Sequence, residues 1–217
     1  MPAREKILEA ADELFGECGF DGTTIQRISE VSQTNKALIH YHFKSKEGLF
    51  ESVLDRYFEV LSDTLQTALL GEGPLDERLG KLVDRYMDFL EKNRNFVHII
   101  QREVNGGKQM QRVIRHMVPI FRLVLRAIHE AYPATRSGDI AAEQLLVSGY
   151  GMIVSYFTYS NLLKHMLPSD PMSRENLLAR REHIRCMIGI IGQVVMAGSS
   201  AGSGAPAQGE AKGKSHA

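Results

Sequence analysis

Apolar residues recur at helical spacing along nearly the whole chain, and no stretch alternates apolar and polar residues with the period of two that marks a β-strand. One face of the first helix, which Gly19 ends, is formed by Ile7, Leu8, Ala11, Leu14 and Phe15. The pattern continues to about residue 197. The sequence therefore predicts an all-α fold.

Capping residues, glycines and prolines divide this pattern into separate helices. The predicted helix starts are Thr23, which has capping-box spacing to Gln26, then Thr34 or Asn35, and then Ser45. Ser45 begins a helix from Lys46 to about Leu70, and later helices are expected at residues 75–93, 95–104, 109–132, 139–167 and 173–196. Pro119 lies inside one of them, and a proline removes a backbone hydrogen bond, so we expect a bend there.

The composition is that of a globular protein and argues against several classes of function. Lys and Arg number 26 and Asp and Glu number 26, so the overall charge favours neither nucleic acid nor membrane. The cysteines are Cys18 and Cys186, which fit a reducing cytoplasm and form no metal-ligand pattern. From the pattern of apolar residues we expect neither a leader peptide nor a bilayer-spanning stretch, and the catalytic motifs that occur are accidental matches. We expect a cytoplasmic protein that is not an enzyme, makes no membrane contact and needs no metal or cofactor.

The charge distribution is more informative than its sum. From residue 31 to residue 46 there is no Asp or Glu. The same stretch carries cations and hydrogen-bonding rings: Lys36, His40, Tyr41, His42, Lys44 and Lys46. Such a helix suits the groove of DNA, because phosphate attraction supplies most of the binding and side chains read the bases.

Residue types, spacing and order agree with a known motif at Ile7–Phe15, Gly19-Phe20, Thr24 and Lys36–Phe50. This part of the chain resembles the N-terminal domain of the TetR (tetracycline repressor) family of bacterial regulators. The resemblance implies a helix-turn-helix, with Thr24–Val31 as the first helix and Asn35–His42 as the recognition helix. In such motifs the second helix lies in the major groove and the first braces it on the backbone.

The resemblance also implies which side chains contact DNA. We expect Lys36, Ala37, His40 and Tyr41 to face outward, with Ile39 and Phe43 turned to the core. Lys36 can donate to guanine O6 and N7, and the methyl of Ala37 can meet a thymine methyl. Thr24, Tyr41 and Lys46 fall where the family contacts phosphates, and Lys46 begins a helix whose free N–H groups favour an anion.

Three positions depart from the family pattern. Gln33 stands where the turn commonly carries glycine, so the turn needs either a non-glycine residue at positive φ or a different geometry. His40 stands where tyrosine is common, which predicts DNA affinity that varies between about pH 6 and pH 7. Leu38 replaces a small polar residue, so base preferences do not carry over from the family.

The later helices are rich in aromatic, methionine and isoleucine residues. Core packing explains most of them, while the resemblance implies an apolar pocket for a small-molecule effector with a few polar groups. The candidate lining residues are Tyr86, Phe89, Phe96, Ile100, Met110, Ile114, Met117, Phe121, Tyr150, Ile153, Tyr156 and Phe157. A lipid, a drug, a quaternary amine and an aromatic metabolite all remain open as effectors.

Two smaller features allow alternatives. Arg102 and Glu103 form either a structural ion pair or polar anchors for a ligand, and the ion pair is preferred. His183 and Cys186 lie three apart on one helix, where a core or interface role is preferred to metal binding because no third ligand is evident.

Small residues in the last two helices let helices approach closely, either within the chain or across a homodimer interface of four helices. These residues are Ser148, Gly149, Gly151, Ser155, Gly189 and Gly192. We therefore divide the chain into a helix-turn-helix domain (residues 1–50), an effector-binding and dimerisation domain (residues 51–197) and a disordered Ala/Gly/Ser-rich tail (residues 198–217).

The sequence as a whole favours a ligand-responsive transcriptional regulator. Its partners are expected to be double-stranded operator DNA, a small-molecule effector and a second copy of the chain. A repressor that binds a palindromic operator as a homodimer and is released by its effector is the leading interpretation. An activator remains open, and so does a helical small-molecule-binding or catalytic protein without DNA function.

Overall fold

The computed structural model describes residues 1–201, with side chains described to residue 197. Its helices are α1 (Ala3–Gly22), α2 (Ile25–Ser32), α3 (Lys36–Phe43), α4 (Lys46–Leu69), α5 (Leu75–Lys92), α6 (Arg94–Val104), α7 (Met110–Ala131), α8 (Ala142–Thr158), α9 (Ser160–Met166) and α10 (Arg174–Ala201). A 3-10 turn, Pro133–Arg136, joins α7 to α8. Residues 1–201 contain no β-strand, so the all-α prediction is confirmed.

The N-terminal unit consists of α1, α2 and α3 packed against the first turns of α4. Phe15, Phe20 and Phe50 meet at its centre, with ring centroids 5.0 to 6.1 Å apart. Burial of a side chain of this size stabilises the fold by about 1.5–3 kcal/mol. Gly19, expected to end the first helix, is non-helical with φ 74° and ψ 176°, but α1 resumes after this kink and extends to Gly22.

The helix caps are partly as predicted. Ser45 caps α4 by accepting from the Gly48 backbone N–H at 3.1 Å, and Asn35 rather than Thr34 caps α3. The expectation for Thr23 is wrong, because Thr24 caps α2 by accepting from the Arg27 N–H at 3.2 Å. Thr23 is fully buried, and its hydroxyl lies 3.0 Å from the Leu14 carbonyl and 2.8 Å from that of Gly19. A tertiary contact therefore uses the hydroxyl that the capping box would need.

The remaining helices form a bundle in which α4 packs on α5 and α7, and α5 packs on α10. α5, α6 and α7 begin and end within a residue or two of their predicted bounds, and α7 continues across Pro119. The helix expected at residues 139–167 is divided into α8 and α9. α10 extends to Ala201, and residues 202–217 of the expected disordered tail lie outside the described residues. Among the described residues, no helix has the length and apolar character needed to cross a bilayer.

Arg102 and Glu103 do not pair with each other, contrary to the preferred expectation. Arg102 donates to the backbone oxygen of Glu17 at 2.6 Å and so ties α6 to α1. The buried Glu103 carboxylate accepts from the backbone N–H of Gln109 at 2.9 Å, just before α7 begins. Gly107 is required here, since a Cβ at that position would collide with the same carboxylate. Both side chains serve to position helices.

Candidate DNA-binding surface and effector cavity

The recognition helix α3 presents the predicted face to solvent. Lys36, Ala37, His40 and Tyr41 are exposed, and Tyr41 has 71% of its surface accessible. Ile39 and Phe43 are buried in the core of the N-terminal unit, as expected. Leu38 is also exposed and adds an apolar side chain to the outer face of α3. This face offers one cation, hydrogen-bonding rings and two apolar groups to a groove.

The turn between α2 and α3 contains a non-glycine residue in the left-handed region. Gln33 has φ 53° and ψ 37°, which decides between the two alternatives left by the sequence. This conformation costs a residue other than glycine roughly 1–2 kcal/mol. Side chains around the turn offset the cost, because the Ser29 hydroxyl donates to the Thr34 carbonyl at 2.5 Å and the Ser32 and Thr34 hydroxyls lie 2.7 Å apart.

The C-terminal end of α3 is held by Lys44, which was counted among the cations of this stretch of the sequence but was not predicted to make a contact. Lys44 has φ 67°, and its Nζ donates to the Tyr41 carbonyl at 3.1 Å while lying 5.8 Å from the Tyr41 ring centre. The Nδ1 atom of His40 lies 3.1 Å from the Lys44 carbonyl. The His40 ring is thereby oriented along the helix, with its other nitrogen directed away from this contact.

Lys46 is engaged inside the protein. Its Nζ donates to the carbonyls of Phe20 at 2.8 Å and Thr23 at 2.9 Å, and it lies 4.2 Å from the centre of the Phe20 ring. An ammonium group has three N–H donors, so one remains for a phosphate. The exposed Thr24 hydroxyl accepts from Arg27 and keeps its own hydrogen for an external acceptor. Of the two, Thr24 is the freer to contact a phosphate.

A cavity of about 150 Å³ lies among α4, α5, α7, α8 and α10. Five of the candidate lining residues face it: Tyr86, Met117, Phe121, Tyr150 and Ile153. The other candidates lie elsewhere: Phe89 and Phe96 in an aromatic cluster with Tyr57, Ile100 and Phe157 in the core, Met110 half-buried, Ile114 exposed, and Tyr156 bonded to the Pro171 carbonyl.

Much of the cavity wall was missed in the sequence. α10 contributes Ile184, Ile188 and Ile191, and α4 contributes Leu61 and Leu65. Helical periodicity marks all of them as inward-facing, and no local signal separates a residue that faces a void from one that faces another side chain.

The polar groups of the cavity are few. Burial raises the pKa of Tyr86, and the adjacent Tyr150 phenol raises it further. Burial likewise raises the pKa of Tyr150, so both hydroxyls stay protonated at neutral pH. Among the described lining residues, Asp76 carries the one charged side chain, beside Tyr132. The wall suits an apolar chain or ring better than a charged group.

An ion-pair cluster connects α4 to α7 next to the cavity. Glu51 on α4 pairs with Arg112 and with Arg115, the latter at 2.9 Å. The His116 Nε2 atom lies 3.2 Å from an Asp55 carboxylate oxygen, and the ring stacks on Phe58 with centroids 4.7 Å apart. Burial lowers the pKa of His116, the charge of Asp55 opposes that shift and Arg115 adds to it. Phe58 also lines the cavity, so the cluster touches its wall.

The same cluster contains three groups that can ligate a metal. Glu51, Asp55 and His116 each place one ligand atom within 4.8 Å of the others. Arg112 and Arg115 already neutralise the Glu51 carboxylate, so an added cation would have to displace them. The donor set is therefore explained as a link between helices.

The comparisons with known proteins agree with this geometry. The model of bacterial regulatory proteins of the tetR family matches residues 7–53. The transcriptional repressor NicS of Pseudomonas putida is 30% identical over 169 residues, which cover 76% of this chain and 79% of NicS. The chain belongs to the tetR family. IcaR of Staphylococcus aureus, a negative transcriptional regulator of a biofilm operon, is 36% identical over 62 residues, covering 29% of this chain and 33% of IcaR.

Solved structures extend the likeness to the whole bundle. A TetR-family regulator from Bordetella parapertussis has a TM-score of 0.69 at 18% identity, covering 85% of this chain and 93% of that one. The fatty acid degradation regulator FadR from Bacillus halodurans has a TM-score of 0.68 at 15% identity, covering 87% and 95%. At these identities the likeness concerns the fold. As a tetR-family member, the protein is a DNA-binding transcriptional regulator and not an enzyme.

Proposed function

We propose that the protein is a ligand-responsive repressor that binds a palindromic operator as a homodimer and is released by a small molecule in the cavity. The observation that carries this proposal is the path of α4. Its first turn is bound through Lys46 to the junction between α1 and α2, and its later turns place Phe58, Leu61 and Leu65 in the cavity wall. A ligand that changes the packing of the cavity wall therefore acts directly on α4, the helix that connects the cavity to the DNA-binding unit.

Operator reading would use the exposed face of α3. Lys36 would donate to a guanine edge and Ala37 would contact a thymine methyl, because both are exposed at the N-terminal end of α3. Thr24 and Tyr41 would hold the flanking phosphates through their hydroxyl groups. His40 would face the bases between them. One recognition helix reads few bases, which favours a symmetric pair about 34–36 Å apart.

The last two long helices offer the surface for that pair. On α8, Val147 is 66% exposed, and Gly151 one turn further is exposed as well. On α10, Ile190 and Val194 are 49% and 53% exposed and lie one turn apart. An apolar stripe on each of two helices is suited to a four-helix interface with its symmetry mate.

Release would follow from a shift between two spacings of the recognition helices. A ligand that changes the packing of Phe58 would alter the position of α4 against α7, where His116 stacks on the same ring. The ligand must bind one spacing more tightly than the other, since equal binding would move nothing.

A protection assay on the DNA upstream of the protein's own gene tests operator binding and release. Lys36→Ala is expected to weaken protection by about tenfold, from loss of one base contact, whereas Lys81→Ala on α5 leaves it unchanged. Protection that persists with Lys36→Ala, or that no candidate ligand reduces, would contradict the base contact or the switch respectively.

Sedimentation tests the dimer. Ile190→Asp places a charge on the α10 stripe and is expected to yield monomers. Val104→Asp, at an apolar position that is also 49% exposed but lies on α6, is the matched control and leaves the dimer intact. A dimer that survives Ile190→Asp would place the interface elsewhere.

A further inference from the structure

The cavity and the outer surface of the α4–α7 pair share a wall. Phe58, Leu65 and Ile120 line the cavity, and the same three residues line a groove of about 800 Å³ between α4 and α7. One layer of apolar side chains therefore separates the two spaces. A ligand that displaced these side chains would occupy both.

The groove is basic along its α7 side. Arg115, Arg122 and Arg126 line it, and Arg115 is held by Glu51. Arg122 and Arg126 are exposed, lie one helical turn apart, and have no ion pair or hydrogen bond with any residue in the described part of the chain. Like charges at this spacing repel one another, so a bound anion would relieve the helix.

Two acids also line the groove, and both lie on its α4 side. Asp55 faces His116, and Glu59 makes no ion pair with the described residues. Arg122 and Arg126 lie on α7, more than one turn after His116, and neither pairs with these acids. Among the described residues, these two arginines are therefore the cations of the groove that no acid neutralises by an ion pair.

The cavity itself offers nothing to a negative group. No cation is found among its described lining residues, and an ionised group buried without a partner is strongly disfavoured. Its one charge, Asp76, stands in the first turn of α5, where free N–H groups already stabilise a carboxylate. A ligand with an apolar chain in the cavity must therefore keep a negatively charged group outside, and the adjoining groove provides Arg122 and Arg126.

From this juxtaposition we infer that the effector is an amphipathic anion. Its apolar chain fills the cavity, and its carboxylate or phosphate head lies in the groove against Arg122 and Arg126. The inference rests on the proposed function, because it assigns the ligand class of the same cavity. Entry of the ligand's apolar chain moves the Phe58 ring away from His116, so occupancy of the cavity changes the position of α4.

Calorimetric titration of the full-length protein with decanoate, 1-decanol and decyltrimethylammonium tests the head group, because the three probes share one alkyl chain. Decanoate is expected to bind about tenfold more tightly than either of the others, from paired contacts with arginine. The double variant Arg122→Gln/Arg126→Gln removes this advantage and leaves decanol binding unchanged. The control Arg85→Gln/Arg174→Gln removes two exposed arginines outside the groove and changes neither.

Two further variants are expected to change decanoate binding in opposite directions. Glu59→Gln removes a repelling charge from the groove and is expected to tighten decanoate binding about threefold, with no effect on decanol. Gly192→Leu adds a side chain where the glycine lines the cavity and has open space, so it abolishes binding of every probe.

The outcomes separate the inference from the function beneath it. Equal binding of decanoate and decanol, a preference for decyltrimethylammonium, or indifference to Arg122→Gln/Arg126→Gln overturns the anionic head group and leaves the cavity in place. Failure of all three probes to bind the unaltered protein overturns the inference, because an alkyl chain is then not a ligand of the cavity. Operator protection and its response to other ligands report separately on the proposed function.

Discussion

Replacement of Lys46 distinguishes a structural role of this residue from a DNA-contacting role. Its ammonium group accounts for two charged hydrogen bonds to backbone carbonyls and a cation–π contact with Phe20. Hydrogen bonds to charged groups contribute about 1.5–3 kcal/mol each when buried, and an exposed cation–π contact about 0.5–1 kcal/mol. Lys46 is only half-buried and water can replace part of each contact, so we expect Lys46→Met to lower the free energy of unfolding by about 2–3 kcal/mol.

The measurement combines urea unfolding with DNA binding. Lys44→Met is the control, because Lys44 is exposed and its ammonium group donates one hydrogen bond, to the Tyr41 carbonyl three residues earlier. We expect it to cost less than about 1 kcal/mol. Binding to non-specific duplex DNA is then measured over a range of salt concentrations at a temperature where both variants remain folded.

The salt dependence distinguishes the two roles. If Lys46 only positions the start of α4, its replacement leaves the slope of log affinity against log salt concentration unchanged. If Lys46 contacts a phosphate, its replacement reduces that slope by about 0.9. Unchanged stability together with a slope reduced by this amount would refute the structural role of Lys46. Lower stability with an intact slope would support it.

Three other predictions concern stability. Gly16→Ala is expected to cost about 1–3 kcal/mol, because its Cβ would lie 2.8 Å from the Asn95 side chain, whereas Gly80→Ala, with open space around it inside α5, is expected to stabilise by about 0.5–1 kcal/mol in thermal unfolding. Gln33→Gly should raise the melting temperature by relieving the left-handed φ of 53°; a lower melting temperature would argue against strain there. The pKa of His116 is lowered in the fold, so the unfolded chain binds the proton first and stability falls as the pH drops below about 6.5; replacing His116 with Gln should reduce the loss between pH 7.5 and pH 5.5, and an identical loss in the variant would assign it to other groups.

The sequence is most informative where the cause of a structure is local. Ser45 and Gly19 act within one turn of their own positions, so the start of α4 and the loss of helical geometry at Gly19 follow from the sequence, although α1 continues to Gly22. The buried and exposed faces of α3 follow from helical spacing for the same reason. These elements define the N-terminal unit and the exposed face of α3.

Contacts distant in sequence were not predictable in this way. From the sequence, Lys46 is predicted to be a free cation at a helix start. In the structure its ammonium group donates hydrogen bonds to the carbonyls of Phe20 and Thr23, more than twenty residues earlier. Phe89 has the apolar character of a pocket residue, yet neighbouring rings fill the space around it, while Ile188 on a helix predicted for dimerisation faces the cavity. Whether a buried residue lines the cavity depends on how five helices pack together, and helical periodicity in the sequence does not predict that packing.

The anchoring of α4 has a practical consequence for building sensors from this protein. Lys46 fastens the helix to the DNA-binding unit, and Glu51, a little more than one turn later, fastens it to α7. A chimaera joined at residue 50 would take the Lys46 contact from one parent and the Glu51 contact from the other. A junction placed after Phe58 would transfer both contacts together with the Phe58 ring, which lines the cavity. A ligand-binding domain taken from another protein would then need to supply only the residues of α7 that contact Glu51 and Phe58.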